Sequence, residues 1–172
     1  MAASGRSRRE WGWHRLTDEW AARVVAAAGV RPGELVLDVG AGHGALTAHL
    51  VAAGARVVAV ELNPRRAGVL RSRCPGITVV EGDALCMPLP GRAFRVVANP
   101  AYGISSELLR RLLARGSKLY AADIVLQRAV ARRYAASATP RFSGAVGLGL
   151  PRRAFVPPPH VDSAVLVIRR RR

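Results

Sequence analysis

Short apolar runs alternate with stretches of helical spacing along most of this 172-residue chain. "LTDEWAARVVAAAGV" has the spacing of a helix, with Thr17 or Asp18 as its N-cap and Gly29 as its stop. After the turn "RPGE", "LVLDVG" reads as a buried strand and "GALTAHLVAAG" as a helix ending at Gly54. "ARVVAVE" is a second strand, "NPRRAGVLRSRC" a second helix of this alternation, "ITVVEGD" a third strand and "FRVVAN" a fourth. "SSELLRRLLARG" is amphipathic, with Leu108, Leu109, Leu112 and Leu113 on its inner face. "LYAADIVLQ" reads as a fifth strand, followed by a helix through Tyr134. "GAVGLGLPRRAF" and "SAVLVIRR" form a final strand pair after a proline-rich bend.

Apolar strands alternating with helices require a parallel sheet covered on both faces. The pattern therefore predicts an α/β fold: a doubly wound, mostly parallel, seven-stranded sheet with an antiparallel edge strand. No internal repeat or shift in composition divides the chain. Residues 1–15 are basic and aromatic and read as an arm, leaving 16–172 as one domain. Ligands bind such sheets outside the carboxyl ends of the strands, so the loops following the first four strands are where chemistry is expected.

Charge narrows the partners. Basic residues number 27 against 11 acidic, a formal charge of +16, which points to a polyanion such as nucleic acid. Cys74 and Cys86 form no CxxC or zinc pattern and read as reduced thiols, so no metal is expected. The longest uncharged run, Val39 to Ala55, holds four glycines and two histidines, a poor membrane span. No apolar stretch follows the N-terminal arginines as a signal peptide requires. The expectation is a soluble, cytoplasmic monomer without membrane contact.

The strand ends carry the candidate groups. After the first strand, "LDVGAGHGALT" places Gly40, Ala41, Gly42 and Gly44 where backbone must turn sharply and approach a ligand closely. Gly40-x-Gly42-x-x-Ala45 also fits a dinucleotide fingerprint. Asp38 just before it, and a third glycine two after the second, favour S-adenosylmethionine, which has no pyrophosphate. No hydride-transfer residues accompany the loop, which argues against a nicotinamide oxidoreductase.

After the second strand, Glu61 lies 21 residues beyond Gly40, where a carboxylate can accept from both hydroxyls of a ribose. After the third, Asp83 can accept from an adenine amino group, with the Ala84 amide nearby. After the fourth comes Asn99-Pro100-Ala101-Tyr102. The exocyclic amine of adenine is a poor nucleophile because its lone pair is delocalised into the ring. The Asn99 side-chain oxygen and the Pro100 carbonyl could bind its N–H groups and aim the lone pair, while Tyr102 offers a face on which an extruded base can stack.

Together these residues resemble the Erm-type rRNA adenine-N6 methyltransferases and their relatives, the KsgA-type small-subunit dimethyltransferases. The resemblance runs from Trp11 to Arg169, and its most specific part is "FVPPPHVDSA", which looks like the family's Phe-x-Pro-x-Pro-x-Val-x-Ser segment. It implies a Rossmann-like class I methyltransferase fold and S-adenosyl-L-methionine as cofactor. It also implies cofactor contacts at Gly40, Ala41, Gly42, Glu61, Leu62, Asp83, Ala84 and Asn99. Asn99, Pro100, Tyr102 and Phe155 become the catalytic set, with Phe155 stacking on the target adenine opposite Tyr102.

The chain departs from the family pattern in three places. Trp13-His14-Arg15-Leu16 stands where Gln-Asn-Phe-Leu is usual, so His14 and Leu16 take the cofactor-closing positions. Ala101 replaces a common proline and Gly103 follows the tyrosine. The family's C-terminal helical domain has no counterpart before Arg172. The basic ends, Arg6, Arg8, Arg9 and Arg15 with Arg169, Arg170, Arg171 and Arg172, are the expected RNA grip. The short length favours the Erm type over the KsgA type, so the resemblance implies N6 methylation of an adenine in 23S rRNA. That reaction would confer macrolide-lincosamide-streptogramin B resistance. The other readings are a KsgA-like small-subunit dimethyltransferase and a non-catalytic RNA-binding or ribosome-assembly factor.

Overall fold

The computed structural model describes residues 14–137 and 139–172; Arg6, Arg8, Arg9 and Trp13 of the expected arm lie outside the described residues. A two-residue strand, β1 (Arg15–Leu16), leads into α1 (Asp18–Ala28). Thr17 occupies the N-cap with extended backbone, and Gly29 (φ 63°) closes the helix in the left-handed conformation that glycine adopts without a Cβ penalty. Trp20, Ala21, Val24, Val25 and Ala28 fall on one face of α1 and are buried there.

Two βα units and a further strand follow: β2 (Leu35–Val39) and α2 (Ala45–Ala52), β3 (Arg56–Glu61) and α3 (Pro64–Arg73), then β4 (Thr78–Glu81). Asn63 caps α3 by accepting from the Arg65 and Arg66 amides, and Pro64 sits at the first helical position, where its missing N–H costs nothing. β5 (Phe94–Ala98) leads through a 3-10 turn at Tyr102–Ile104 into α4 (Ser105–Leu112). Then come β6 (Leu119–Gln127), α5 (Arg128–Ala136) and β7 (Phe142–Leu150). A 3-10 turn at Arg152–Ala154 precedes β8 (Phe155–Val156), and β9 (Ser163–Arg170) ends the fold.

The main sheet has seven strands in the order β4-β3-β2-β5-β6-β9-β7, parallel except at β9, which pairs antiparallel with both β6 and β7. This is the expected class I methyltransferase sheet, doubly wound and mostly parallel with antiparallel pairing toward one edge. Every residue of β5 is buried, as a strand covered on both faces requires. Leu108, Leu109 and Leu112 of α4 pack on one face with Phe94, Ile124 and Leu166. Trp20, Val24, Leu46, Leu50 and Val165 fill the other. Each such large side chain contributes roughly 1.5–3 kcal/mol when fully buried.

Two arrangements had no counterpart in the expected elements. β1 pairs antiparallel with β8, Arg15 opposite Val156 and Leu16 opposite Phe155, so the segment entering α1 is tied to the proline-rich segment. At the amino end of the sheet, buried Arg95 donates to Asp123 (2.9 Å), Glu34 (3.1 Å) and the Ala28 carbonyl (2.8 Å). Arg169 donates to the other Asp123 oxygen at 2.9 Å. Two cations thus satisfy a carboxylate that would be costly to bury alone.

Candidate active site and cofactor cleft

A continuous cleft opens along the carboxyl ends of β2, β3, β4 and β5, where the chain order of a doubly wound sheet reverses. One part, a cavity of about 280 Å³, is lined by His14, Arg15, Leu16, Asp38, Gly40–Gly42, His43 and Asn99, among others. The other, about 110 Å³, is lined by Glu61, Leu62, Asp83, Ala84, Leu85 and Ala101 and shares Gly40, Gly42, Arg66 and Asn99 with the first. All ten residues expected at the cofactor line one part or the other.

The glycine loop and the Asn-Pro turn meet at Gly40. Its φ is 70°, and a Cβ there would lie 3.4 Å from Pro100 Cα and 4.0 Å from the Asn99 carbonyl. A side chain at Gly40 would combine backbone strain with a tight contact. Glu61 is 5% exposed and fixes the loop: its Oε2 accepts from the Gly42 amide and its Oε1 from the Asn63 amide, both at 2.8 Å. The second lone pair of each oxygen remains for ribose hydroxyls. Asp83 Oδ1 accepts from the Leu85 amide at 2.8 Å, turning the loop after β4 tightly. Arg111 of α4 holds the same loop through the Ala84 and Met87 carbonyls.

Beneath the glycine loop, Asp38 is 1% exposed and accepts from Thr47 Oγ1 at 2.6 Å. Burial pushes its carboxyl up to about 7; the Thr47 bond opposes this and the Glu61 charge adds to it. His43 was not among the expected site residues, although it sits inside "GAGHG" and lines the cavity. Burial, followed by the Arg66, Arg15 and Arg73 charges, lowers its pKa and favours neutral imidazole. Arg66 was likewise missed; as the second arginine of "NPRR" it begins α3 and reaches both parts of the cleft.

At the end of β5, Asn99 Nδ2 donates to the His14 carbonyl at 3.0 Å, which leaves Oδ1 as the acceptor end. Tyr102 hydrogen-bonds Ser163 Oγ through its hydroxyl at 2.9 Å. Burial raises its pKa against the opposing effect of that bond, so the phenol is neutral and its face is fixed. The His14 ring stacks with Tyr102 at 5.8 Å between centroids and 23° between planes. His14 Nδ1 also lies 2.9 Å from the Pro157 carbonyl.

Two sets of expected residues are placed otherwise. Phe155 is 1% exposed and packs in the core with Leu16, Trp20 and Val97, so its ring does not face Tyr102 across a base slot. Its strand partner is Leu16, and inward alternation on that small ladder turns both side chains down. Arg169 and Arg170 lie at the amino end of the sheet because β9 runs against its neighbours. Ser163 at the start of β9 holds Tyr102, so Arg169, six residues on, is about 20 Å away along the strand. Arg170 donates to the Leu119 and Ser117 carbonyls at 2.8 and 2.7 Å. The fold thus uses these guanidinium groups, and the cleft and the C-terminal arginines are at opposite ends. Among the described residues, no three His, Cys, Asp or Glu side chains cluster as metal ligands, and no helix is long and apolar enough to cross a membrane.

The model of the ribosomal RNA adenine dimethylase family matches residues 5–172. The ribosomal RNA small subunit methyltransferase A of Thermosynechococcus vestitus is 36% identical over 185 residues, covering 95% of this chain and 70% of that protein. The crystal structure of the 23S rRNA methyltransferase ErmE aligns with a TM-score of 0.82 at 33% identity, over 91% of this chain and 69% of that one. A dimethyladenosine transferase from Plasmodium falciparum aligns with a TM-score of 0.79 at 25% identity, over 92% and 64%.

These findings correct the expected Erm-type assignment, with its 23S rRNA partner and its antibiotic-resistance phenotype. Curated relatives from Thermosynechococcus vestitus and Synechococcus sp. are named ribosomal RNA small subunit methyltransferase A, and the family matched is that of the dimethylases. Length was the wrong discriminator: both types share this catalytic fold, and the residues that build the cleft all lie within it. The similarity to ErmE reflects that shared fold. The non-catalytic alternative also falls, because the fold, the cleft and the family are those of an enzyme using S-adenosylmethionine. The chain belongs to the ribosomal RNA adenine dimethylase family, S-adenosylmethionine-dependent methyltransferases that act on adenine bases of rRNA.

Proposed function

We propose that this chain, working in the cytoplasm with residues 16–172 as its catalytic unit, methylates the N6 amine of adenine in small-subunit rRNA and adds up to two methyl groups. The observation that carries the reading is the Asn99-Pro100 turn, held between Gly40 and the His14 carbonyl beside the Tyr102 ring. The small-subunit names of the curated relatives supply the substrate class.

When bound, the cofactor supplies an electrophilic methyl on a sulfonium. Glu61 would receive the ribose hydroxyls, Asp83 and the Ala84 amide would receive the adenine edge, and Gly40 to Gly42 would allow close backbone approach. Tyr102 takes one face of the target adenine. Asn99 Oδ1 and the Pro100 carbonyl accept from its amine and draw the nitrogen toward tetrahedral geometry. Held in this way, the nitrogen lone pair would be aimed at the methyl that the bound cofactor supplies, and the amine proton would pass to water. Acceptors fixed before the reaction lower the barrier without reorganisation cost. A second round needs the same contacts, with one N–H replaced by methyl.

The test is transfer of labelled methyl from S-adenosylmethionine to protein-free small-subunit RNA, to large-subunit RNA and to assembled small-subunit particles, with the modified nucleotides mapped. Dimethyladenosine in the small-subunit RNA is expected. Label confined to the large-subunit RNA would overturn the proposal.

A further inference from the structure

Expected RNA contacts at Arg169 and Arg170 are drawn into the amino end of the sheet, which leaves open where a substrate strand is held beside the cleft. The segment from Pro157 to Asp162 crosses the rim next to Tyr102, and side chains from several elements converge on it. The Pro157 carbonyl meets His14 Nδ1, and the Pro159 carbonyl accepts from Arg152 Nε at 2.9 Å. Asp162 pairs with Arg128 at 3.3 Å, and its carbonyl accepts from the Arg128 amide at 3.0 Å. Ser163, the next residue, holds the Tyr102 hydroxyl.

The segment is thus flanked by guanidinium groups on both sides of the sheet. Arg152 and Arg153 stand on the 3-10 turn before β8, both exposed. Arg128 opens α5, and exposed Arg132 follows one helical turn later on the same face. Between them the exposed side chains are mainly apolar, with Val156 56% and Val161 47% exposed and Pro158 exposed beside them; His160 is the exposed polar exception. Asp162 is the acid on this strip, and Arg128 already neutralises it. The other acidic side chains among the described residues lie on α1, on α4, in the cleft, on the β4 edge or at the amino end of the sheet.

We infer that this strip is the track for the substrate RNA strand, an assignment that rests on the proposed rRNA reaction. Arg132 and Arg153 would take backbone phosphates on either side of the target nucleotide, and Pro158 and Val161 would take sugar and base faces between them. Charge and position favour RNA over an acidic protein. The strip borders the slot an adenine must enter, and exposed arginines flank a mainly apolar floor as a stacked, phosphate-linked strand requires. Phosphate contacts of this kind fix register and leave the choice of base to the cleft.

The experiment compares the parent with R132Q/R153Q, whose changes remove none of the hydrogen bonds described above, and with R171Q/R172Q. Affinity for a small-subunit RNA hairpin is measured against salt, alongside cofactor affinity by calorimetry. In R132Q/R153Q, RNA binding should fall at least tenfold at low salt. The slope of log affinity against log salt should drop by roughly 1.4–1.8, the loss of about two phosphate contacts. Cofactor affinity should be unchanged, and R171Q/R172Q should keep the parent slope. A parent-like slope in R132Q/R153Q, or an equal drop in R171Q/R172Q, would overturn the inference. Because the readout is binding, a lowered slope without methylation of small-subunit RNA would retain the track and refute the proposed substrate.

Discussion

His14 and Tyr102 stack directly on one another at the mouth of the cleft, 5.8 Å apart, although 88 residues separate them in the chain. The contact joins the segment entering α1 to the turn that follows β5, and His14 Nδ1 carries the connection on to Pro157. A ring contact and one hydrogen bond together contribute about 1–2 kcal/mol. His14→Ala should therefore loosen the wall of the larger cavity and weaken cofactor binding roughly 5- to 30-fold. Calorimetric titration with S-adenosylmethionine checks this, and unaltered affinity would show that the wall holds without the ring.

Asn99→Ala should nearly abolish methyl transfer while the protein stays folded, its stability lowered only by about 0.5–1.5 kcal/mol for the lost bond to the His14 carbonyl. The proposed acceptor is lost with the side chain, and groups that stabilise developing charge are typically worth about 3–4 kcal/mol. Single-turnover rates at saturating RNA and cofactor should fall at least a hundredfold.

Asp38 makes stability depend on pH in a definite direction. Its folded carboxyl is raised to about 7 from an ordinary 3.8. The stability it contributes is thus fully present below the unfolded value and is lost as pH rises through the folded one. Between pH 5 and 8 the cofactor-free protein should lose roughly 2–3 kcal/mol from this group. Asp38→Asn keeps an acceptor for Thr47 and should flatten the dependence. Urea unfolding at the two pH values measures both proteins, and parallel losses would show that Asp38 is not the source.

Arg169→Ala should act on the fold and not on RNA. Its guanidinium bonds Asp123 and the Ala122 and Ile168 carbonyls, at 2.9 to 3.1 Å. Arg95 still pairs Asp123 after the change, so the cost should be about 1–3 kcal/mol, below the roughly 3–5 kcal/mol expected of Arg95→Ala in the same buried cluster. Denaturant midpoints give the order, and the salt dependence of RNA binding by Arg169→Ala should match the parent.

Ala101 has φ −55° and ψ 136°, a backbone that proline adopts without strain. Ala101→Pro should therefore stabilise the protein by about 0.4–1 kcal/mol through the unfolded chain and keep or raise turnover. A folded variant with clearly lower activity would show that the turn must flex during catalysis.

The periodicity of this chain exposes its fold well because buried parallel strands and amphipathic helices leave opposite signatures. "LVLDV" and "RVVAVE" carry the short-run signal of buried strands, and α4 carries its Leu108-Leu109-Leu112 face. Chemistry at strand ends is legible for the same reason: once a strand end is placed, Glu61, Asp83 and Asn99 follow by position. Side-chain direction is less legible. A two-residue ladder such as β1 with β8 is too short to show a period, so the inward turn of Phe155 leaves no trace. Nor does a run of four arginines reveal that β9 is reversed, which is what carries Arg169 to the far end. Buried Arg95 in "FRVVAN" is hidden because its partners Glu34 and Asp123 lie on other strands and loops.

The pairing of His14 with Pro157 has a consequence for synthesis. The two residues are 143 positions apart, and the wall they form together needs both. A chain emerging from the ribosome can assemble β2, β3 and the glycine loop early. The cleft, however, cannot close until β8 has appeared and paired with β1. Closing so long a loop also costs conformational entropy before the contact can form. The growing chain thus acquires its complete cofactor wall only once Pro157 has emerged, long after the glycine loop that the wall faces.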